Sequence, residues 1–318
     1  MKGKDSEQKD LLLALVSSEE HCDVQASILG QGLLVARRYA PIKPLEQSST
    51  QMGRQFALIA KDLGQGSAVS RVRALVFAAQ TQDNPHVERF FASSLGKLFP
   101  EAKIQLMELP ELLLRGLYPE TGGVALVAGR QLICASSWIP NQGSWQVGDY
   151  GPKLELPGSA FWFARQALQA VLAAEDGLMR PTKLRDLFLI NGHFKKSDWM
   201  ERIYQSQSMM RETLDLTAQI LNLAEQKDLT AKALRQEAIE MQCRMAVQLT
   251  RHFSPDLKIP LCLTGLLYEK IPSYRELVAK AMTQKIRQIE ICTETKEPAL
   301  EGLKYLEQQY LDTKEHES

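Results

Sequence analysis

The sequence predicts an α/β protein with two domains, each a mixed β-sheet flanked by helices. The first observation is length, because 318 residues are enough for two hydrophobic cores of ordinary size. The second is the order of the elements, since both halves begin with antiparallel β-like runs and continue into alternating strands and helices. We expect residues 1–118 to form the N-terminal domain. Residues 119–318 are expected to form the C-terminal domain, with a helical insertion at about 182–253.

The first half is predicted to have the order β-β-β-α-β-α-β-α. Short apolar runs predict its strands at residues 11–16, 24–29, 33–38, 72–79 and 103–107. Gly30-Gln31-Gly32 is typical of a hairpin turn between the second and third strands. Apolar residues at helical spacing predict helices at 48–63, 85–98 and 109–117.

The second half is predicted to begin with a hairpin of residues 124–128 and 131–136, turned at Gly129-Arg130. A glycine-rich loop follows at 143–158 and leads into a helix at 159–175, which ends at Asp176-Gly177. Residues 182–253 have an almost wholly helical pattern, interrupted at 226–229. Strands at 259–263 and 288–293 and helices from 273 and at 298–310 complete the chain.

Composition excludes several classes of function. Lys plus Arg equals Asp plus Glu, 38 against 38, so the chain lacks the basic surplus typical of nucleic-acid or anionic-membrane binding. The apolar run at 11–16 is too short to span a bilayer. The five cysteines are widely spaced with no C-x-x-C pair, and the five histidines are scattered, so no disulfide framework or metal site is indicated. We expect a soluble cytoplasmic protein without a metal site.

Two segments separated by a short insertion carry a resemblance to a known family. GSWQVGDYG at 143–151 and GSAFWFARQALQAVLAAEDG at 158–177 resemble G-W-G-x-x-x-G-D-E-G-S-G-Y-W-I-G-R-x-A-L of N-acetylglucosamine kinase-like proteins. The same family includes the ATPases that activate benzoyl-CoA reductase and 2-hydroxyacyl-CoA dehydratase. IPLCLTGLL at 259–267 and EPALEGLKYL at 297–306 resemble later family segments. The resemblance implies two ribonuclease H-like domains around a nucleotide cleft, as in actin and the heat-shock chaperones.

The family resemblance implies two glycine-rich phosphate loops and a magnesium-organising aspartate, but both loops differ here. Where the family has D-G-G-G-T-K-T, Ser17 stands at the aspartate position and Ser18, Glu19 and Glu20 replace the glycines. A like-charge contact costs about 4 kcal/mol at about 4 Å and an effective dielectric of about 20, so these carboxylates would repel phosphate. A rescuing metal is one alternative, and a solvated hairpin turn is the other. The second loop, G-T-G-S in the family, reads as a tight hairpin at residues 129–132.

Candidate site residues follow from the same resemblance. Leu109 stands where the family has its general-base aspartate, which leaves Glu108 and Glu111 as candidate catalytic residues or as carboxylates with no catalytic role. The candidate ligand-binding residues are Gly148, Asp149, Gly158 and Ser159, and the candidate nucleotide-binding residues are Thr264 and Gly265. An Asx turn is the alternative for Asp149. The six-residue insertion PKLELP at 152–157 interrupts the family's compact loop.

Two functions remain open at the level of sequence. One is a binding or regulatory protein that retains the sugar-kinase fold and has lost phosphoryl transfer, since that chemistry depends on positioned charge and magnesium. The alternative is an active ATP-dependent kinase of N-acetylglucosamine or a related amino sugar. ATP and Mg²⁺ are expected as cofactors only if the nucleotide site persists. The expected partners are an amino-sugar or nucleotide ligand and a second copy in a homodimer, with no nucleic acid and no membrane.

Overall fold

The computed structural model describes residues 10–44, 46–64, 69–79, 84–151, 153–190, 192–199, 208–292 and 297–317. These residues divide into two compact units. The described residues up to Gly122, together with 297–317, form the first unit, and the described residues from Gly123 to Cys292 form the second. The units therefore divide at Gly122/Gly123 where the sequence prediction placed 118/119, and the last helix groups with the first unit rather than the second.

The first unit contains a five-stranded mixed sheet in the order β3-β2-β1-β4-β5. Its strands are β1 Leu11–Ser17, β2 Cys22–Ile28, β3 Gly32–Tyr39, β4 Val72–Ala78 and β5 Lys103–Met107. The first three strands are antiparallel to one another, whereas β1, β4 and β5 run parallel. Its helices are α1 Ser49–Asp62, α2 Pro85–Leu98, α3 Leu109–Leu117 and the C-terminal α9 Pro298–Glu317.

Helices cover both faces of this sheet, which explains why β1 is apolar at every position from 11 to 16. Side chains alternate along a strand, so Leu11, Leu13 and Leu15 pack with α1 and α2 on one face. Leu12, Ala14 and Val16 pack with α3 and α9 on the other face. The C-terminal helix thus joins the first unit because its apolar side chains fill that second core.

The second unit contains a five-stranded mixed sheet in the order β10-β9-β6-β7-β8. Its strands are β6 Gly123–Ala128, β7 Ile133–Ile139, β8 Gly143–Gly148, β9 Ile259–Thr264 and β10 Ile289–Ile291. Its helices are α4 Ala160–Glu175, α5 Ser208–Glu225, α6 Leu229–Thr250, α7 Leu266–Lys270 and α8 Pro272–Lys285. The two-domain α/β fold with mixed sheets and flanking helices is thereby confirmed.

Two segments differ from the sequence prediction. Residues 143–148 were expected to be a loop, but they form β8 because they pair antiparallel with β7 over six positions, from Cys134↔Gly148 to Ile139↔Gly143. The block at 182–253 is less continuous than its pattern suggests. It begins with a 3₁₀ helix at Lys183–Phe188 and an isolated bridge between Ile190 and His193, and residues 200–207 lie outside the described part.

No helix among the described residues is long and apolar enough to cross a membrane.

Candidate functional site

Ser17 ends β1, and the family resemblance places the magnesium-organising aspartate at this position. It is only 4% exposed. Its hydroxyl donates to the Ile42 carbonyl oxygen at 3.0 Å and accepts the Ile42 N–H at 2.7 Å. The hydroxyl therefore both donates and accepts within the first unit, and it fixes the chain after β3 against the end of β1.

The turn from β1 to β2 is closed by its own hydrogen bonds. Ser18 donates its backbone N–H to the His21 carbonyl oxygen at 2.8 Å. The Ser18 hydroxyl donates to the same oxygen at 3.0 Å and accepts the N–H groups of Glu20 at 3.4 Å and His21 at 3.3 Å. Backbone N–H groups that a phosphate loop would present to its ligand are here directed at a side chain of the turn.

Acidic side chains surround this turn. Glu20 is exposed and Glu19 is half-buried. Asp23, at the start of β2, contacts the His21 ring at 3.0 Å and the Arg38 guanidinium at 2.8 Å. Carboxylates therefore stand on and beside this turn in the folded chain.

The hairpin between β6 and β7 lies directly beside the start of α4. Gly129 donates its N–H to the Leu132 carbonyl oxygen at 2.9 Å, which closes the turn. The carbonyl oxygens of Gly129 and Arg130 accept the N–H groups of Ala160 at 3.1 Å and Phe161 at 2.8 Å. The predicted hairpin is confirmed, and its carbonyl groups cap the helix that follows the glycine-rich segment.

Ser159 completes this N-terminal cap. The residue is fully buried, and its hydroxyl accepts the Trp162 N–H at 3.0 Å. The hydroxyl also donates to the carboxylate of Glu155, a buried residue of the insertion. The first N–H groups of a helix are ordinarily available to an anion. In α4 the first three, those of residues 160–162, are all used inside the chain.

Gly148 and Gly158 each allow a close backbone contact. Gly148 has φ +92°, and a Cβ there would lie 2.5 Å from the Ile133 carbonyl oxygen and 2.8 Å from the Met245 methyl group. Gly158 has φ +131°, and a Cβ there would lie 2.5 Å from the Gln242 side-chain nitrogen. Backbone packing therefore requires glycine at 148, whereas at 158 an added Cβ would press on the buried Gln242 side chain. Both positions also have a left-handed conformation that favours glycine.

Gln242 belongs to a buried polar network that the sequence did not indicate. The fully buried side chain donates to the Tyr274 hydroxyl at 3.0 Å and accepts from the Tyr268 hydroxyl at 2.9 Å. Burial raises the pKa of both tyrosines, so both hydroxyls stay protonated. Because Gln242 is far in sequence from both tyrosines, only the packing of α6 against α7 and α8 brings the three residues together.

Thr264 and Gly265 lie at the end of β9, next to the same hairpin. Thr264 pairs with Val127 in the parallel ladder. Gly265 has φ +105°, and a Cβ there would lie 2.6 Å from the Ala128 carbonyl oxygen. The structure therefore brings the candidate nucleotide residues together with the second-loop hairpin, and the contact between them is direct backbone packing.

Asp149 follows β8 in a strained conformation. Its φ is +63°, it is 8% exposed, and its N–H donates to the Ile133 carbonyl oxygen at 3.0 Å. Aspartate tolerates the left-handed region better than most residues. The backbone geometry accounts for the turn, and the role of Asp149 in ligand binding stays a prediction.

Leu109, Glu108 and Glu111, which the family resemblance places at the general base, lie at the start of α3 in the first unit. Leu109 packs against the apolar core formed by β1, β4 and α9. Glu111 forms an ion pair with Arg115 at 2.7 Å, one turn later on α3, and the Arg115 guanidinium lies 5.7 Å from the centre of the Tyr305 ring. Glu108 immediately precedes α3. These carboxylates and the glycine-bearing segments belong to different units.

Metal ligands are not clustered in the described part of the chain. No group of three or more His, Cys, Asp or Glu side chains is arranged to hold an ion there. None of the five cysteines, all of which lie in the described residues, forms a disulfide, and four of them are buried.

No established family profile matches the sequence, and no curated protein matches it. Solved structures do match, over nearly the whole chain. A candidate N-acetylglucosamine kinase from Porphyromonas gingivalis has 18% identity and a TM-score of 0.68, covering 95% of this chain and 99% of its own. A second one, from Chromobacterium violaceum, has 16% identity and a TM-score of 0.68 with 94% and 99% coverage. A hexokinase of the ROK family from Thermus thermophilus has 14% identity and a TM-score of 0.53, with 93% and 98% coverage.

These matches define the class of fold. The chain has the two-domain fold of the actin-like ATPases and sugar kinases, with two mixed five-stranded sheets. Within that class its fold is similar to those of the two candidate N-acetylglucosamine kinases, at identities of 16–18%. The resemblance read from residues 143–177 is confirmed at the level of the fold.

Proposed function

We propose that this chain is a binding or regulatory protein that keeps the sugar-kinase fold without phosphoryl transfer. The observation that carries the proposal is the β1–β2 turn, where the Ser18 hydroxyl takes the N–H groups of Glu20 and His21. Phosphoryl transfer depends on backbone donors and a metal ion that neutralise the developing charge. In this turn the two backbone N–H donors are already hydrogen-bonded to the Ser18 hydroxyl, and carboxylates lie beside them.

The second unit supports the same proposal. The N–H groups of residues 160–162 at the start of α4 bond to Gly129, Arg130 and Ser159. Gly265 packs against the Ala128 backbone. A triphosphate at this place would have to displace several hydrogen bonds that the fold already satisfies, and each buried group left without a partner costs about 1–3 kcal/mol.

Calorimetric titration with Mg-ATP, alone and with N-acetylglucosamine, tests the proposal. We expect no saturable heat with Mg-ATP. We also expect no thermal stabilisation, whereas a ligand at about 100 times its Kd would add about 2.7 kcal/mol to the free energy of unfolding. Saturable Mg-ATP binding together with phosphorylation of the amino sugar would establish the active kinase instead.

Two variants sharpen this test. Replacing Glu19 and Glu20 by glycine removes the carboxylates but leaves the Ser17 and Ser18 hydrogen bonds, so we expect ATP binding to remain absent. An amino-sugar titration of the wild type and of Asp149→Asn separately tests ligand recognition by the second unit. Binding that the Asn variant weakens would support a sugar-responsive role without catalysis.

A further inference from the structure

The segments that follow α4 and α5 meet at one exposed corner of the second unit. The Thr182 hydroxyl donates to the Asp228 carboxylate at 3.0 Å, and the Lys183 N–H donates to the same carboxylate at 2.9 Å. These bonds hold the segment after α4 against the residues that join α5 to α6. The exposed residues of this corner form what we call the α4–α6 surface, which comprises residues 178–180, 183, 227, 229 and 232.

Three large apolar side chains of the α4–α6 surface face solvent. Leu178 is 79% exposed, Leu229 is 69% exposed and Met179 is 48% exposed. The chain from Leu178 to Thr182 spans at most about 14 Å, and Leu229 directly follows Asp228, so the three side chains lie in one region. Apolar side chains that are exposed together, rather than singly, indicate an interaction site.

The backbone that presents Leu178 is fixed by hydrogen bonds. The Leu178 N–H donates to the Ala173 carbonyl oxygen at 2.9 Å, and Gly177 between them has φ +74°. This is a Schellman motif, in which the residue at the place of Leu178 commonly packs back onto its own helix. Here that side chain is exposed instead, so an ordered turn holds it in solvent.

A second Schellman motif ends α5 and has a lysine at its left-handed position. The Asp228 N–H donates to the Leu223 carbonyl oxygen at 3.0 Å, and Lys227 has φ +68°. Glycine or asparagine is usual at such a position, because a larger side chain is strained at positive φ. The strained conformation places a positive charge at the turn, beside the exposed Leu229.

The α4–α6 surface has an excess of positive charge. Neighbouring carboxylates are paired within the unit, in the ion pairs Glu175–Arg185, Asp176–Lys196 and Glu225–Arg235. Within the described part of the chain, the cations that form no ion pair at this surface are Arg180, Lys183, Lys227 and Lys232. Asp186, an exposed carboxylate three residues after Lys183, offsets only part of their charge.

We propose that the α4–α6 surface docks on an anionic lipid membrane. Apolar side chains that project among cations insert at the boundary between headgroups and acyl chains, while the cations contact anionic lipids. Such docking needs no helix that spans the bilayer. The chain as a whole is neutral, with 38 basic and 38 acidic residues, so this local excess is not visible in the composition from which no membrane partner was expected.

Two features favour a lipid surface over an acidic protein. Leu178, Met179 and Leu229 project from turns and a helix start, each about half exposed or more, instead of lining a groove. The α4–α6 surface also contains no aromatic residue, whereas protein interfaces are anchored by aromatic side chains that fill pockets.

Flotation of the full chain with lipid vesicles tests the proposal. We expect binding to vesicles that contain phosphatidylglycerol and at least about tenfold weaker binding to vesicles of phosphatidylcholine alone, because cations near an anionic surface add attraction. Added salt should weaken the binding by screening. A wild type that stays unbound, or that binds both kinds of vesicle equally, overturns the proposal.

Uncharged substitutions test the apolar part of the surface. The double variant Leu178→Gln with Leu229→Gln should bind anionic vesicles at least about tenfold more weakly, since it removes the inserted side chains without changing the charge. Leu257→Gln is the matched control, because Leu257 is a 53% exposed leucine of the same unit. It follows the other end of α6, a helix of 22 residues and therefore about 33 Å long. Equal binding by the double variant and the control contradicts the proposal.

Charge reversal tests the cations. Lys183→Glu with Lys232→Glu should weaken binding to anionic vesicles at least about tenfold, whereas Lys280→Glu, at an exposed lysine of α8, should leave it unchanged. Both new glutamates would lie near the start of a helix, where acidic side chains are favourable, and thermal melts by circular dichroism check that the variants fold. Unchanged binding by the double variant overturns the proposal. Equally tight binding of the wild type to soluble polyglutamate also overturns it, and would assign the surface to an acidic protein.

Discussion

A substitution at Gly265 distinguishes two explanations of the glycines in the second unit, one in which packing requires them and one in which they bind a ligand. Its φ is +105°, and an added Cβ would lie 2.6 Å from the Ala128 carbonyl oxygen and 3.0 Å from the Ala128 carbonyl carbon and nitrogen. All three atoms are backbone atoms of the central strand β6, which cannot move without breaking its ladder. Gly265→Ala should therefore destabilise the protein itself.

The expected magnitude follows from a matched control. Gly143 has φ +116°, and a Cβ added there would meet nothing within 4 Å. Alanine at either position carries the left-handed strain of about 1–2 kcal/mol. Only Gly265→Ala also overpacks a well-filled site, which adds about 1–3 kcal/mol. Gly265→Ala should thus lower the free energy of unfolding by about 1–3 kcal/mol more than Gly143→Ala.

Thermal unfolding followed by tryptophan fluorescence measures this difference. All four tryptophans lie between residues 138 and 199, so the signal reports the second unit. For a domain of about 150–250 residues, each kcal/mol lowers Tm by about 2–4 °C. Equal Tm values for the two variants would refute the packing argument. The structural explanation would also fail if Gly265→Ala abolished a measurable ligand affinity at unchanged stability.

Four further predictions address other parts of the molecule. Gln242→Leu should lower the free energy of unfolding by about 1–3 kcal/mol for each tyrosine hydroxyl that loses its hydrogen-bond partner. Urea denaturation measures this change, and unchanged stability would show that the buried network does not stabilise the fold. Ser17→Ala should lower the free energy of unfolding by about 1–3 kcal/mol because the Ile42 backbone groups lose their hydrogen-bond partner, as thermal melts by circular dichroism would measure. A gain in stability would contradict a stabilising role of the Ser17 hydroxyl. Burial raises the pKa of Asp228, but hydrogen bonds from the N–H groups at the start of α6 and from neighbouring groups outweigh it and lower the pKa below the ordinary 3.8. The ionised Asp228 carboxylate therefore stabilises the fold above that pH, and this stabilisation is lost as the pH falls below it. Asp228→Ala should lower the free energy of unfolding by about 0.5–2 kcal/mol near neutral pH and by less in acid, which urea denaturation midpoints at the two pH values would measure. Burial and the adjacent Asp23 charge raise the pKa of the Cys22 thiol to about 12. A thiol reagent should therefore label the partly exposed Cys292 before Cys22, which mass spectrometry of the native protein would detect. Early labelling of Cys22 would contradict this expectation.

Local sequence signals predicted most of the elements. The residues that end and begin helices are explicit, as in the capping box of Ser48 with Gln51 and the proline at the start of α2. Strand β8 was missed because glycines at both ends of residues 143–148 favour a loop locally. Its strand conformation comes from pairing with β7, which no local pattern contains.

The candidate site was predictable only in part. Together with the family resemblance, the sequence predicted which residues stand at the phosphate loops and the base, because Glu19, Glu20 and Leu109 can be read directly from the chain. Tertiary structure alone decided which contacts those segments make. The Ser17 bond to Ile42, the capping of α4 by the Gly129 hairpin and the contact of Gly265 with Ala128 all join parts of the chain distant in sequence. Hydrogen bonds and close packing depend on distances in space, and these are set when the sheets and helices pack.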